Sequence, residues 1–222
     1  MRVEPVADAE ALAGLHAAIL APSFPLDELE TVEGMTAGLE DGTLVAVVAR
    51  DDEGTALGLA TGAWSPSTRV LLLSYLAVAP GVRGGGVGGA LLESALARWT
   101  ERLDPLVVLA EVEDPAATGA DRPEDHGDPA ARLRFYLRRG ARALPLPYVQ
   151  PALRPGGRRV PGMLLLALVV SPDLVQDDDW RLPTEPLRDF LVGYYDETEG
   201  GSPPPEVLTA LTCPFVVLRP PA

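Results

Sequence analysis

An α/β (α+β) fold, with a mixed but mostly antiparallel central sheet flanked by helices, is predicted by three features of the sequence. First, the extended segments TLVAVVAR (43–50), ALGLATGAW (56–64) and RVLLLSYLAVA (69–79) follow one another with only short turn signals, Asp51-Asp52-Glu53-Gly54 and Ser65-Pro66-Ser67-Thr68, between them. Links that short force antiparallel neighbours, because a parallel crossover needs roughly a dozen residues or more. Second, a glycine-rich stretch opens a helical pattern whose buried stripe is Leu92, Ala95/Leu96, Trp99 and Leu103. Third, that helix leads to the buried strand PLVVLAEVE (105–113), so strands 69–79 and 105–113 run parallel.

The other elements follow in order. RVEPV reads as a first strand, and Asp8 as the N-cap of a helix carrying Leu12, Leu15 and Ile19 at helical spacing. A second helix follows PSFP, with Leu29, Val32 and Leu39 on one side. Beyond strand 105–113, the acidic loop DPAATGADRPEDHGDP leads to a basic helix, AARLRFYLRRG, closed by Gly140. Strands around 142–152 and 160–170, linked by RPGGRR, complete a domain over residues 1–170. Residues 171–222 form an extension. Thr184 caps a helix with Leu187, Phe190, Leu191, Tyr194 and Tyr195 on one face, GGSPPP breaks it, and CPFVVL is a last strand. That apolar face needs a partner, either the main domain or a second subunit of a homodimer.

Composition narrows the function classes. All 18 basic residues among the 222 are arginine, and the chain has no Lys or Asn and a single Ile, the mark of a GC-rich coding sequence. Counts of glycine and proline are therefore uninformative, and only their placement carries meaning. A net charge of −14 argues against a general nucleic-acid binder. The longest apolar run, Met163 to Val170, has eight residues, far short of the roughly 20 that span a bilayer. The N-terminus brings acids early and shows no signal-peptide core. One cysteine, Cys213, excludes an internal disulfide and fits a reducing, cytoplasmic setting; in TCPFVVL it reads as a buried structural thiol. Charge is also segregated: eight arginines and no acid lie between Pro129 and Ser171, with acidic flanks at 111–128 and 173–199.

Five of the six residues from Gly84 to Gly89 are glycine, and two motifs share them. Gly84, Gly86 and Gly89 satisfy G-x-G-x-x-G, with Glu111 near the place of a ribose-binding acid, which suggests an NAD-dependent oxidoreductase. The antiparallel strands before the glycines, and the two strands without an intervening helix near the end of the domain, oppose that doubly wound reading. Arg83-Gly84-Gly85-Gly86-Val87-Gly88 also matches [QR]-x-x-G-x-[GA]. With SYLAVAPGVRGGGVGGALLESAL as strand, loop and helix, LVVLAEVE as the next strand and RFYLRRGARAL after it, the chain resembles the GNAT superfamily of acetyl-coenzyme A-dependent N-acyltransferases over residues 1–170.

The resemblance implies a parallel pair that splays apart to hold the pantetheine arm of acetyl-coenzyme A. Leu76 and Val78 would offer backbone groups to that arm, and Arg83, Gly84, Gly85, Gly86, Val87 and Gly88 would cradle the pyrophosphate. Exposed N–H groups and the dipole of a helix start suit an anion there, and glycine lets the backbone approach without Cβ collisions. The implied reaction moves an acetyl group to a primary amine by direct attack through a tetrahedral intermediate, its oxyanion met by a strand N–H near Val78. By resemblance Tyr136 is the acid that protonates the leaving sulfur. Glu111 and Glu113 alternate along one strand and so share a face. Both are candidate bases, Glu111 first. The family's Asn near the start of the Tyr136 helix is Pro129 here, so its pantetheine contact is missing or made otherwise.

The acceptor expected is a small molecule or a peptide N-terminus, cationic because acids at 111–128 and the helices at 8–40 would flank its site. A non-catalytic acyl-CoA-binding sensor of the same fold is the remaining alternative. Arg138 and Arg139 read either as contacts to the cofactor's 3′-phosphate or as a solvated face. Asp121, Glu124, Asp125, His126 and Asp128 are too irregularly spaced to predict a metal site and read as a solvated loop, and His16 reads as structural.

Overall fold

The computed structural model describes residues 1–82, 85–117, 128–154 and 156–218. Its main sheet contains β1 (Arg2–Pro5), β2 (Leu44–Arg50), β3 (Ala56–Ser65), β4 (Val70–Val78), β5 (Val107–Glu113), β6 (Arg142–Ala143) and β7 (Met163–Val170), in the order β1-β2-β3-β4-β5-β7-β6. Only β4 and β5 pair in parallel, joined by helix α3 (Val87–Leu103) as the crossover. One parallel pair in an antiparallel sheet rules out the doubly wound dinucleotide fold.

Two irregularities position the site. The β3–β4 register jumps from Thr61↔Tyr75 to Gly62↔Leu73, so Ser74 is an extra residue, a β-bulge. At the same level the parallel ladder stops. Its last pair is Leu73↔Ala110, although β4 continues to Val78 and β5 to Glu113. The two strands therefore part over their C-terminal ends, which is the splay that the sequence resemblance implied.

Alternation along the strands sends side chains to two layers. Val45, Val47, Leu71, Leu73, Val108 and Ala110 meet Leu91, Leu92, Ala95 and Trp99 of α3 on one face. On the other face, α1 (Ala9–Leu15, capped by Asp8) and α2 (Val32–Asp41, capped by Thr31) pack over Ala46, Val48, Leu59, Tyr75 and Ala77. Beside them lies helix α5 (Thr184–Glu199), whose Leu187, Phe190 and Leu191 join Val70, Leu72, Val107 and Leu109. The apolar face of the extension is thus covered by its own chain. A small sheet of β8 (Val175–Gln176), β9 (Asp179–Pro183) and β10 (Phe215–Leu218), with α6 (Pro205–Ala210), completes that layer.

Several expectations need correction. The strand around 142–152 is paired only at Arg142–Ala143, with one further bridge between Gln150 and Val160. Pro145, Pro147 and Pro151 supply no N–H to a ladder. Thr184 does not cap α5: Pro183 is the N-cap, and the Thr184 hydroxyl donates to the Cys213 carbonyl. Cys213 is exposed, because it stands in the turn between α6 and β10 rather than inside the strand. Leu29 precedes α2 in extended backbone instead of opening it.

Candidate active site

The bulge and the splay open the sheet at one point, and two cavities meet there. A cavity of about 230 Å³ runs along the splay, bordered by Leu76 and Val78 of β4, Gly88 at the start of α3, Glu111 and Glu113 of β5, and Tyr136. A larger one, of about 600 Å³, lies between α2 and α5. Ser74, Tyr75, Glu111 and Gln150 line both.

Register decides which backbone groups face the smaller cavity. Ala79 N–H bonds the Leu57 carbonyl, and in an antiparallel ladder every second opposed pair exchanges hydrogen bonds. Leu76 and Val78, in the intervening pairs with Ala60 and Gly58, therefore turn their N–H and C=O away from β3 and toward the gap. The gap ends at the N-terminus of α3. Gly86 is its N-cap at φ 75°, left-handed backbone that favours glycine, and no side chain caps it. Gly88 faces Val78 so closely that a Cβ there would sit 3.4 Å from Val78 Cγ2. Gly85, Gly86 and Val87 belong to the helix start but not to the cavity wall. Arg83 and Gly84 lie outside the described residues, as do Asp121, Glu124, Asp125 and His126.

Glu111 is held by neutral hydrogen-bond donors. Tyr148 donates to its Oε1 at 2.5 Å and Gln150 Nε2 to its Oε2 at 2.8 Å, with the Tyr194 hydroxyl at 3.4 Å. Loss of hydration pushes its pKa up, and the three donors only partly offset this. Glu113, on the same face, is buried and ion-paired to Arg132 of helix α4 (Pro129–Leu137). Both acids border the smaller cavity, yet only Glu111 reaches the larger one.

Tyr136 comes from α4, which Asp128 caps by accepting from Ala130 N–H. Its ring is buried edge-on to Phe135 at 5.1 Å. No protein group among the described residues hydrogen-bonds its hydroxyl, and burial pushes its pKa up to about 12. Arg139 is not a plain solvated side chain. It stacks on Phe135 at 4.0 Å, lies 3.6 Å from Glu93, and occupies the space over Gly89 that a Cβ would need. His16 is structural, its Nε2 3.2 Å from the Glu30 carbonyl.

Tyr148, Gln150, Tyr194, Ser74 and Glu30 are site residues that the sequence reading passed over. For Tyr148 and Gln150 a signal existed, since two residues apart on extended backbone they share a side. Tyr194 was legible only as packing, and nothing announced the bulge.

Residues 14–120 match the acetyltransferase (GNAT) family. The chain carries a GNAT acetyltransferase domain. Solved structures agree on its fold. The ribosomal-protein-alanine N-acetyltransferase from Brucella melitensis is 21% identical with a TM-score of 0.52, over 77% of this chain and all (100%) of that one. The ribosomal-protein-S18-alanine N-acetyltransferase from Escherichia coli is 18% identical with a TM-score of 0.51, over 77% of this chain and 94% of that one. The spermidine N-acetyltransferase from Vibrio cholerae is 13% identical with a TM-score of 0.52, over 76% and 95%. No curated protein matches the sequence. In this acetyltransferase the family match ends at residue 120, so Tyr136, Tyr148, Gln150 and Tyr194 all lie beyond it. No described helix is long and apolar enough to cross a membrane.

Proposed function

We propose that this acetyltransferase moves an acetyl group from acetyl-coenzyme A to a cationic primary amine. In this reading Glu111 takes the amine's proton and Tyr136 gives one to the departing sulfur. One observation carries it: Glu111 borders both cavities, one leading to the start of α3 and the other lined by carboxylates.

The smaller cavity fits the carrier. Leu76 and Val78 present backbone groups along it, and Gly88 leaves at its end the room that a side chain would fill. Coenzyme A would supply the acetyl group as an activated thioester. The chain's own residues then have two proton tasks. An amine of lysine type, with pKa about 10.4, arrives protonated and must lose a proton to attack. A carboxylate held above its ordinary range by loss of hydration is a better-matched base for that step than a solvated one. Tyr136 keeps its proton at neutral pH and has no competing protein partner among the described residues, so it can donate at its hydroxyl. Glu113 holds α4, and with it Tyr136, against β5 through Arg132. The single cysteine, Cys213, lines neither cavity, which favours direct attack over a thiol-borne acetyl group.

The test is release of free coenzyme A thiol from acetyl-coenzyme A in the presence of a panel of amines, with mass spectrometry of the products. Amine-dependent release with an acetylated amine is the expected result. Binding of acetyl-coenzyme A without transfer to any amine would overturn the proposal in favour of an acyl-CoA sensor.

A further inference from the structure

The larger cavity holds four carboxyl groups, Glu30, Glu111, Asp189 and Glu197, and, among the described residues, no arginine or histidine. In a chain with 18 arginines that exclusion is a property of the site. Two of the acids come from α5, outside the segment that matches the family. Asp189, Gly193 and Glu197 are four residues apart on successive turns and so share one face of the helix. A Cβ on Gly193 would meet nothing within 4 Å, so open space separates the two carboxylates.

An acidic surface alone attracts cations of every kind. A second observation makes this one selective. Gln150, which borders the same cavity and is 6% exposed, donates its Nε2 to Glu111 but has no partner among the described residues for its Oε1. A buried amide oxygen without a donor costs stability unless something supplies one. The amide cannot simply turn round, because its oxygen would then face the Glu111 carboxylate. An ammonium or amine N–H, arriving beside Glu111, is the donor whose chemistry fits both groups.

Resting on the transferase reading above, we infer that α5 is the acceptor-recognition wall of this enzyme. The acceptor is a small amine with a second cationic nitrogen. Its attacking nitrogen donates to Gln150 Oε1 beside Glu111, and its distal nitrogen is held by Asp189 and Glu197. A monoamine fills the inner position and leaves the carboxylates of α5 unused. A peptide N-terminus without a nearby basic side chain does the same.

The experiment compares kcat/KM for spermidine and 1,4-diaminobutane with that for n-butylamine and for an uncharged tripeptide. It uses the full chain and its Asp189→Asn/Glu197→Gln variant. Both carboxylates are exposed, and an unchanged Tm verifies that the variant folds. The wild type is expected to prefer at least one dicationic amine over n-butylamine by about 100-fold, mostly through KM, and the variant to lose about tenfold of that preference. Gln150→Leu is expected to weaken di- and monoamines alike. Equal use of n-butylamine, preference for the tripeptide, or an unchanged preference in the variant would overturn this inference while leaving the transferase reading intact. Turnover with no amine at all would overturn both.

Discussion

Tyr148 donates its hydroxyl to Glu111 Oε1 across 2.5 Å, from a residue 37 positions further along the chain. The contact joins the stretch after β6 to the splayed end of β5, and it gives the two candidate bases different fates. Glu111 accepts from neutral donors and keeps access to both cavities, whereas Glu113 is ion-paired with Arg132. Replacing Glu111 by Gln is expected to lower kcat by roughly 10²–10⁴-fold, the usual range for a lost general base. Glu113→Gln is expected to cost less than about tenfold in kcat and to show itself in denaturant unfolding. Steady-state kinetics on the two variants would reverse the assignment if Glu113→Gln gave the larger loss.

The same hydrogen bond sets the pH at which Glu111 acts. Burial raises the carboxyl's pKa, and the bond from Tyr148 opposes that by favouring the charged form. Tyr148→Phe removes the opposing effect, so the pKa rises further. The base is active when ionised, and the acid limb of the kcat/KM profile should therefore move to higher pH in the variant. A limb that stays in place, or moves down, would separate Glu111 from the step.

For Tyr136, the expected outcome is a fall in kcat of about 10²-fold or more in Tyr136→Phe, the scale of a lost general acid, with acetyl-coenzyme A affinity kept within a few-fold. The ring, which packs against Phe135, is retained in this variant, and only the hydroxyl is lost. Calorimetric titration beside kinetics separates the two effects. Unchanged kcat would make Tyr136 a packing residue.

Much of this architecture was legible in the sequence because local rules set it. The turn signals at 51–54 and 65–68 fixed antiparallel neighbours, and the helical stripe from Leu92 to Leu103 fixed the parallel crossover. Hidden features arose where distant segments meet. Ser74 bulges with no glycine or proline to mark it. Gln150 and Tyr148 fit a strand pattern, yet the prolines around them limit its pairing to the Gln150–Val160 bridge, and both polar groups reach Glu111. Tyr194 matched the helical stripe of α5 and so looked like core, although its hydroxyl reaches the carboxylate. Pattern reading shows which face a residue takes, while the end of a side chain is placed by tertiary contacts.

Gly88 offers a direct test of the smaller cavity. A Cβ fits there only in contact with Val78, and branches beyond it would project into the space between the splayed strands. Gly88→Val should weaken acetyl-coenzyme A binding by more than about tenfold. Stability should change by roughly 1 kcal/mol or less, since leaving glycine in a helix removes an entropic cost while branching adds one. Isothermal calorimetry and thermal unfolding measure the two separately. Undiminished binding would show that the carrier does not use this gap.

The last prediction concerns the free protein. Glu30 is half-buried in the larger cavity, and loss of hydration raises its pKa from 4.5 to about 7. The unfolded chain releases this proton near 4.5, whereas the folded chain keeps it until about 7, so over that window the folded state binds more protons. Stability gained from this group is therefore complete below the lower value and falls as pH rises, levelling off above about 7. Glu111, shifted in the same direction, adds to the slope. Glu30→Gln cannot titrate, so its unfolding free energy should fall less steeply between pH 5 and 8. Because the group is only half-buried, solvent screening reduces the full linkage value, and the variant should exceed the wild type by about 2 kcal/mol at pH 8 relative to their difference at pH 4. Urea unfolding at a series of pH values reads this directly. Parallel curves for the two proteins would mean that the carboxyl stays hydrated, and that the cavity beside it is wetter than its lining suggests.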